Sequence, residues 1–209
     1  MEFDEDVQVE GLIDRLKQYI GANPKNASAH YNIALAFMKQ SQFEDAEFAF
    51  KMAIEIDPEM VEALINLGGL YLRQERLDEA VAVNEQAIKV NPQAVLALNN
   101  IGFAHMIQGR LDEAAEAFSQ ALKVNPGLLQ ARLSLARVRE QQGDPDQAGA
   151  EYEKILESDP NFAVAHYNLA VNLLEKGDAE RADHHYQEAA KLKYPVEPEL
   201  GRKIEEAKG

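Results

Sequence analysis

Five prolines set the frame of this chain: Pro24, Pro58, Pro92, Pro126 and Pro160, each 34 residues after the one before. Asn or Asp precedes every one of them, and an Asx-Pro pair disfavours helix while favouring a turn. Each proline therefore marks a boundary between helices, and recurrence at one fixed period is the mark of stacked supersecondary repeats. Setting the register from these turns gives five repeats, 27–60, 61–94, 95–128, 129–162 and 163–196.

Inside the repeats the same positions carry the same kinds of residue. The twentieth is always alanine (Ala46, Ala80, Ala114, Ala148, Ala182), where a larger side chain would hold two helices apart. At the twenty-fourth stand Phe50, Asn84, Phe118, Tyr152 and Tyr186, mostly rings that fill the space beside that alanine. Small against large is how helices interdigitate. Gly109, Gly143 and Gly177 share the fifteenth position, where glycine takes the left-handed conformation that ends a helix. The acidic pairs Asp78-Glu79 and Asp112-Glu113 then fall in the first turn of a second helix, facing the positive end of its dipole. Every repeat is thus a pair of helices.

Leu64, Leu67, Gly68, Tyr71, Ala80, Ala87 and Pro92 together resemble the tetratricopeptide repeat family, with Asn84 standing where an aromatic ring is usual. The resemblance covers 27–194 and implies an all-α fold, an α-solenoid whose antiparallel helix pairs form a right-handed superhelix with a concave inner face. Repeat 4 fits least well, having Arg132, Arg139 and Ile155 at packing positions and Pro145 near the start of its second helix. Residues 1–26 read as a capping half-repeat, with Leu12, Leu16 and Tyr19 in the register of a second helix. Residues 195–209 read as a polar helix that shields the last apolar face, so one continuous domain is expected.

Lys and Arg number 21 against 36 Asp and Glu, a formal net charge of −15 that repels phosphate backbones, so nucleic acid is not expected as a partner. With no cysteine there are no disulfides or thiolate metal sites, and the redox compartment cannot be read. No apolar run is long enough to span a membrane, and MEFDEDVQVE is unlike a secretory leader. A cytoplasmic location is the default; a chain trimmed of a leader or anchor, hence periplasmic or membrane-tethered, would look the same. Phosphate loops, metalloprotease helices and nucleophile elbows are missing outside the repeat register, so neither catalysis nor a cofactor is expected. His30, His105 and His166 fall at packing positions, and His184-His185 point about 100° apart, poor geometry for sharing one metal.

In each first helix the fourth, seventh, eighth and eleventh residues should pack, leaving the second, fifth, sixth, ninth, twelfth and thirteenth as a surface. By the family resemblance that surface lines the concave groove. Its sixth position carries Asn32, Asn66, Asn100 and Asn168, with Ser134 in repeat 4. Around them lie Tyr31, Leu35, Met38, Ile65, Leu72, Leu96, Asn99, Phe103, Met106, Ile107, Leu133, Tyr167, Val171 and Leu174. Asparagine inside a helix costs several tenths of a kcal/mol (roughly) against alanine, so its recurrence needs a reason. Either the amides meet the backbone of an extended peptide, similar to the asparagine ladders of O-linked N-acetylglucosamine transferases and kinesin light chains, or they stitch neighbouring repeats together. Four amides at about 0.5–1.5 kcal/mol each give weak binding, so apolar anchors must supply the rest.

Lys39, Arg73 and Arg137 cancel Glu62, Glu140 and Glu175 on this surface. Tyr31, Leu35, Asn66, Leu96 and Asn100 correspond to the clamp positions of carboxylate-clamp co-chaperones and keep one amide of that clamp and none of its cations, which disfavours that class. The expected role is a non-catalytic adaptor that holds an extended or helical segment of a partner protein. Two alternatives stand beside it: a substrate-selecting domain of a larger enzyme such as a glycosyltransferase, and a homo-oligomeric scaffold.

Overall fold

A computed structural model describes residues 2–209, with side chains described from Glu10 onward. Twelve helices and no strand are found among the described residues. They are α1 (Glu2–Ala22), α2 (Ala27–Lys39), α3 (Phe43–Ile56), α4 (Val61–Arg73), α5 (Leu77–Val90) and α6 (Val95–Ile107). Continuing along the chain come α7 (Leu111–Val124), α8 (Leu129–Gln141), α9 (Pro145–Ser158), α10 (Ala163–Glu175), α11 (Ala179–Lys191) and α12 (Pro198–Lys208). Each repeat contributes two of these, α2 and α3 first, α10 and α11 last. The helices gather into two compact halves, residues 1–108 and 109–209.

The turns follow the chemistry read from the sequence. Asp57, Asn91, Asn125 and Asp159, each just before its proline, leave the helix with extended backbone. Their side chains accept the N–H two residues on, at 3.1, 3.0, 3.1 and 2.9 Å. Gly109, Gly143 and Gly177 are left-handed, at φ 72°, 77° and 83°. In repeats 1 and 2 the same position holds Ser41 and Glu75, at φ 56° and 58°, so the turn is made there without glycine and under strain. Asp144 caps α9 by accepting the Gln147 N–H at 3.0 Å, with Pro145 in the first turn where its missing N–H does no harm.

Packing follows the expected period and adds to it. Ile33, Ala34, Phe37, Leu64, Leu67, Gly68 and Tyr71 are buried in the first half, and Leu135, Ala136, His166, Leu169, Ala170 and Leu173 in the second. The third and tenth residues are buried as well. Asn172 shows why: its amide donates to the Pro145 carbonyl at 2.9 Å, and a methyl on Gly149 would meet it, so the tenth position abuts the preceding repeat's second helix. Ile155, which stands in place of an alanine, is nevertheless fully buried in the core of the second half.

Polar residues that looked misplaced have specific jobs. The fourth-position side chains His30, Arg132 and His166 each reach back to the carbonyl of the turn proline, Pro24, Pro126 and Pro160, at 3.0 Å. Arg132 also pairs with Glu151 at 2.7 Å. Gln108 donates to Asp78 at 2.8 Å and Gln142 to Asp112 at 2.7 Å, while Lys176 pairs with Asp146, so the acidic first turn also ties one repeat to the next. In the first half Glu47 is gripped by Arg76 at 2.5 Å and Lys51 at 2.7 Å and accepts from the Tyr71 hydroxyl at 3.1 Å. Hydrogen bonding to Arg76 holds the Glu47 carboxyl down to about 2. The Arg76 guanidinium lies 4.2 Å from the Tyr71 ring centre.

At the ends, Leu12 and Tyr19 of α1 occupy the register of the close-packing alanines and are about half exposed, while Ile13 is buried. Leu200 and Ile204 of α12 are buried beside α11, and Lys208 pairs with Asp183 at 2.9 Å. Gly201 permits this approach, since a Cβ there would lie 2.9 Å from the Tyr186 hydroxyl, which donates to the Glu197 carbonyl at 3.3 Å.

Candidate protein-binding face

In the first half the candidate face is built by α2, α4 and α6. The amides at the sixth position are not equivalent. Asn32 is exposed and Asn66 and Asn100 are half-buried. Asn66 donates to the Tyr31 hydroxyl of the preceding repeat at 3.2 Å and to the Glu62 carbonyl at 2.7 Å. Asn100 donates to the Ile65 carbonyl at 3.4 Å and to the Asn84 side chain at 3.2 Å. Their N–H groups therefore stitch repeats together, and the amide oxygens have no donor among the described residues. Asn99 carries a buried oxygen that likewise lacks a donor.

Asn84 explains the Asn100 contact, and sequence reasoning noted it only as a departure. It is completely buried where a ring is usual, against Gly68, whose added Cβ would come within 1.9 Å of the amide nitrogen. Its own N–H donates to the Ala80 carbonyl at 2.7 Å, leaving the oxygen for Asn100. A buried amide in a ring's place needs such a partner.

The apolar members of this face are Tyr31, Leu35, Met38, Ile65, Leu72, Phe103 and Met106, all half-buried. Tyr31 also leans on Phe50, ring centres 6.0 Å apart. Leu96 and Ile107, at the two ends of α6, are 57% and 56% exposed. Lys39 at the end of α2 and Arg73 at the end of α4 are exposed and have no carboxylate partner among the described residues, Arg73 lying 4.5 Å from the Phe43 ring centre.

In the second half α8 and α10 occupy the same positions with different results. Leu133 and Ser134, expected on the surface, are buried instead. The reason is packing, since Leu133 belongs to one core with Tyr152, Leu169 and Leu173. Asn168, Tyr167, Val171 and Leu174 are half-buried, and Arg137, Glu140 and Glu175 exposed. Tyr167 packs against Tyr194, the rings tilted and their centres 5.2 Å apart. Desolvation pushes the Glu140 carboxyl up, the Tyr152 hydroxyl opposing this and the Glu175 charge adding to it. Burial likewise pushes the Tyr152 phenol up, with the Glu140 carboxylate as the next contribution.

His166 and His185 meet through their Nδ1 atoms at 2.8 Å. Because His166 Nε2 donates to the Pro160 carbonyl, His166 Nδ1 accepts from His185. Burial lowers His185 to about 4, helped by His166, His184 and Arg181. No group of three or more metal-ligating side chains is found among the described residues, and no helix there is long and apolar enough to cross a membrane.

Family models described as tetratricopeptide repeat match residues 27–60, 65–128, 100–161 and 139–193, and the chain belongs to that family. No curated protein matches it in sequence. Solved structures share the fold at low identity. A structure of MamA is 23% identical with a TM-score of 0.73, over 77% of this chain and 94% of that one. YrrB, described as a tetratricopeptide protein with an unusual peptide-binding site, is 22% identical with a TM-score of 0.70, over 85% and 91%. PilF of Pseudomonas aeruginosa is 19% identical with a TM-score of 0.79, over 98% and 93%.

Proposed function

We propose that this chain is a protein-interaction adaptor that holds a segment of a partner protein on its first-helix face. The observation that carries this is α6. Its thirteen residues, VLALNNIGFAHMI, include no carboxylate, lysine or arginine, so the helix has no charged face to present to water, yet Leu96 and Ile107 stand more than half exposed. A partner that covers them together with Leu72, Phe103 and Met106 removes this apolar surface from water.

The occupant is an apolar segment bearing a carboxylate. Lys39 and Arg73 supply the complementary charge in a chain that is acidic throughout, and the free amide oxygens of Asn66 and Asn100 accept N–H groups of the incoming backbone. Covering these five apolar side chains at about 1–1.5 kcal/mol each, with an ion pair of up to about 1 kcal/mol, contributes about 6–8 kcal/mol before association costs, so the complex is weak and forms at high micromolar or greater concentration. The peptide-binding description of YrrB supports the same reading. We further propose that the five repeats act as one continuous array, since the 34-residue register runs unbroken through all of them.

The test is anisotropy titration of labelled peptides that carry apolar residues and one glutamate. Leu96→Ser with Ile107→Ser should weaken binding about tenfold, the equivalent of 1.4 kcal/mol. Thermal stability should be unchanged, because both side chains are exposed. Unchanged affinity would refute the reading, and a concentration-dependent mass in light scattering that these substitutions abolish would make a second copy the occupant.

A further inference from the structure

The second helices α3, α5, α7 and α9 end alike, at an Asp or Asn with extended backbone that leads into the turn proline. The last one, α11, ends differently. Lys193 and Tyr194 stand where the period places Asx-Pro, and the proline comes one residue later, at 195. Lys193 is left-handed, at φ 62°. Its N–H donates to the Ala190 carbonyl at 2.9 Å, and the Tyr194 N–H to the Ala189 carbonyl at 3.0 Å. The first helix α2 closes in the same way, Ser41 and Gln42 donating to Met38 and Phe37. A turn that reverses the chain thus finishes α11, built on a lysine that is strained in it.

After this turn Tyr194 lies against Tyr167 of α10, ring centres 5.2 Å apart. Tyr167 is a fifth-position residue, the counterpart of Tyr31. Thirty-five residues on from Tyr31 stands Asn66, which donates to the Tyr31 hydroxyl. At the same distance from Tyr167 stands Arg202 of α12, which pairs with Glu199 of its own helix instead. Tyr167 is nevertheless half-buried, as Tyr31 is, with Tyr194 packed on it. Val171 and Leu174, four and seven residues further on, continue the half-buried apolar surface along α10.

Residues 194–197 form a short non-helical strap between α11 and α12. Its far end is anchored by α12, through buried Leu200 and Ile204 and the Lys208–Asp183 pair. The strap itself is held lightly. The Val196 N–H donates to the Tyr194 carbonyl at 2.8 Å, the Tyr186 hydroxyl donates to the Glu197 carbonyl at 3.3 Å, and Pro195 has no N–H to give. Lifting the strap also lets Lys193 leave its left-handed conformation.

We propose that this strap is an autoinhibitory element: Tyr194 fills the place on α10 that an aromatic side chain of the partner takes, and the partner binds there by displacing it. The proposal rests on the reading that first helices carry the partner. An aromatic side chain is the fitting competitor, because it restores the ring contact that Tyr167 loses. The closed strap lowers the apparent affinity in proportion to the fraction of molecules in which it is open, so weakening the strap tightens binding.

The experiment titrates two pools of labelled, otherwise random extended peptides, one with phenylalanine and one with serine at a fixed central position. They are added to the full chain and to its Tyr194→Ala variant. Tyr194→Ala should bind the phenylalanine pool about fivefold more tightly, the size of one aromatic pair, and the serine pool no better. The chain contains no tryptophan, so Tyr194→Trp places a single fluorescent reporter on the strap. Its emission should move to the red, and acrylamide should quench it more, as the phenylalanine pool displaces the ring from Tyr167. Weaker or unchanged binding by Tyr194→Ala, a gain shared by the serine pool, or an emission that moves to the blue or stays put overturns the strap while leaving the adaptor reading intact. Binding of neither pool to either protein overturns both.

Discussion

Replacing Glu47 by glutamine should destabilise the first half in a way that depends on pH. Hydrogen bonding to Arg76 lowers the Glu47 carboxyl from the ordinary 4.5 to about 2, with Lys51 and Tyr71 adding to the grip. A displacement of that size corresponds to about 3 kcal/mol, which screening at a side chain 16% exposed reduces to about 2. The folded state holds this proton more weakly than the unfolded chain. The stabilisation is therefore complete above pH 4.5 and is lost as pH falls from there through 2. Urea titrations followed by far-ultraviolet circular dichroism, run at steps between neutrality and strong acid, would measure it. Glu47→Gln should be less stable than the parent by about 2 kcal/mol at neutral pH, and the two curves should converge in acid. A gap that stays constant across the range would refute the electrostatic argument, and no gap at neutrality would show that Arg76 and Lys51 find other partners.

Asn100→Ala should cost about 1–3 kcal/mol, because it leaves the buried Asn84 oxygen without a donor, whereas Asn66→Ala should cost no more than about 1; chemical denaturation of each separates them. Ser41→Gly and Glu75→Gly should each raise stability by about 1 kcal/mol, since both positions are left-handed; calorimetry checks this, and a lower melting point would show the turn is not strained. Because burial lowers His185 from 6.5 to about 4, the folded protein binds that proton less readily than the unfolded chain, so its stabilisation is full above pH 6.5 and declines by about 2 kcal/mol toward 4. A His185→Gln variant should lack this slope; an identical slope would place its origin elsewhere, for instance in the neighbouring Glu153 or Arg181.

By itself the sequence determined the repeat. Asx-Pro turns, glycines at the fifteenth position, alanines at the twentieth and apolar residues at helical spacing are local or one-helix properties, and all appear in the structure where the register puts them. It also indicated which first-helix positions stay exposed or half-buried, with Leu133 and Ser134 the exceptions. What it could not settle was how side chains from different helices share their hydrogen bonds. Whether the asparagines face a ligand or a neighbouring repeat depends on the distance from Asn66 to Tyr31 and from Asn100 to Asn84, residues separated by 35 and 16 positions. The same holds for the reach of His30, Arg132 and His166 to the turn prolines, which made polar residues at packing positions look like defects. Charge shows the difference most simply. Counted along the chain, the groove charges cancel; in the fold, the cations Lys39 and Arg73 belong to the first half while the Glu175 charge acts on Glu140 in the second. A sum over sequence discards position, and electrostatic recognition depends on position because the interaction falls with distance and strengthens where water is excluded.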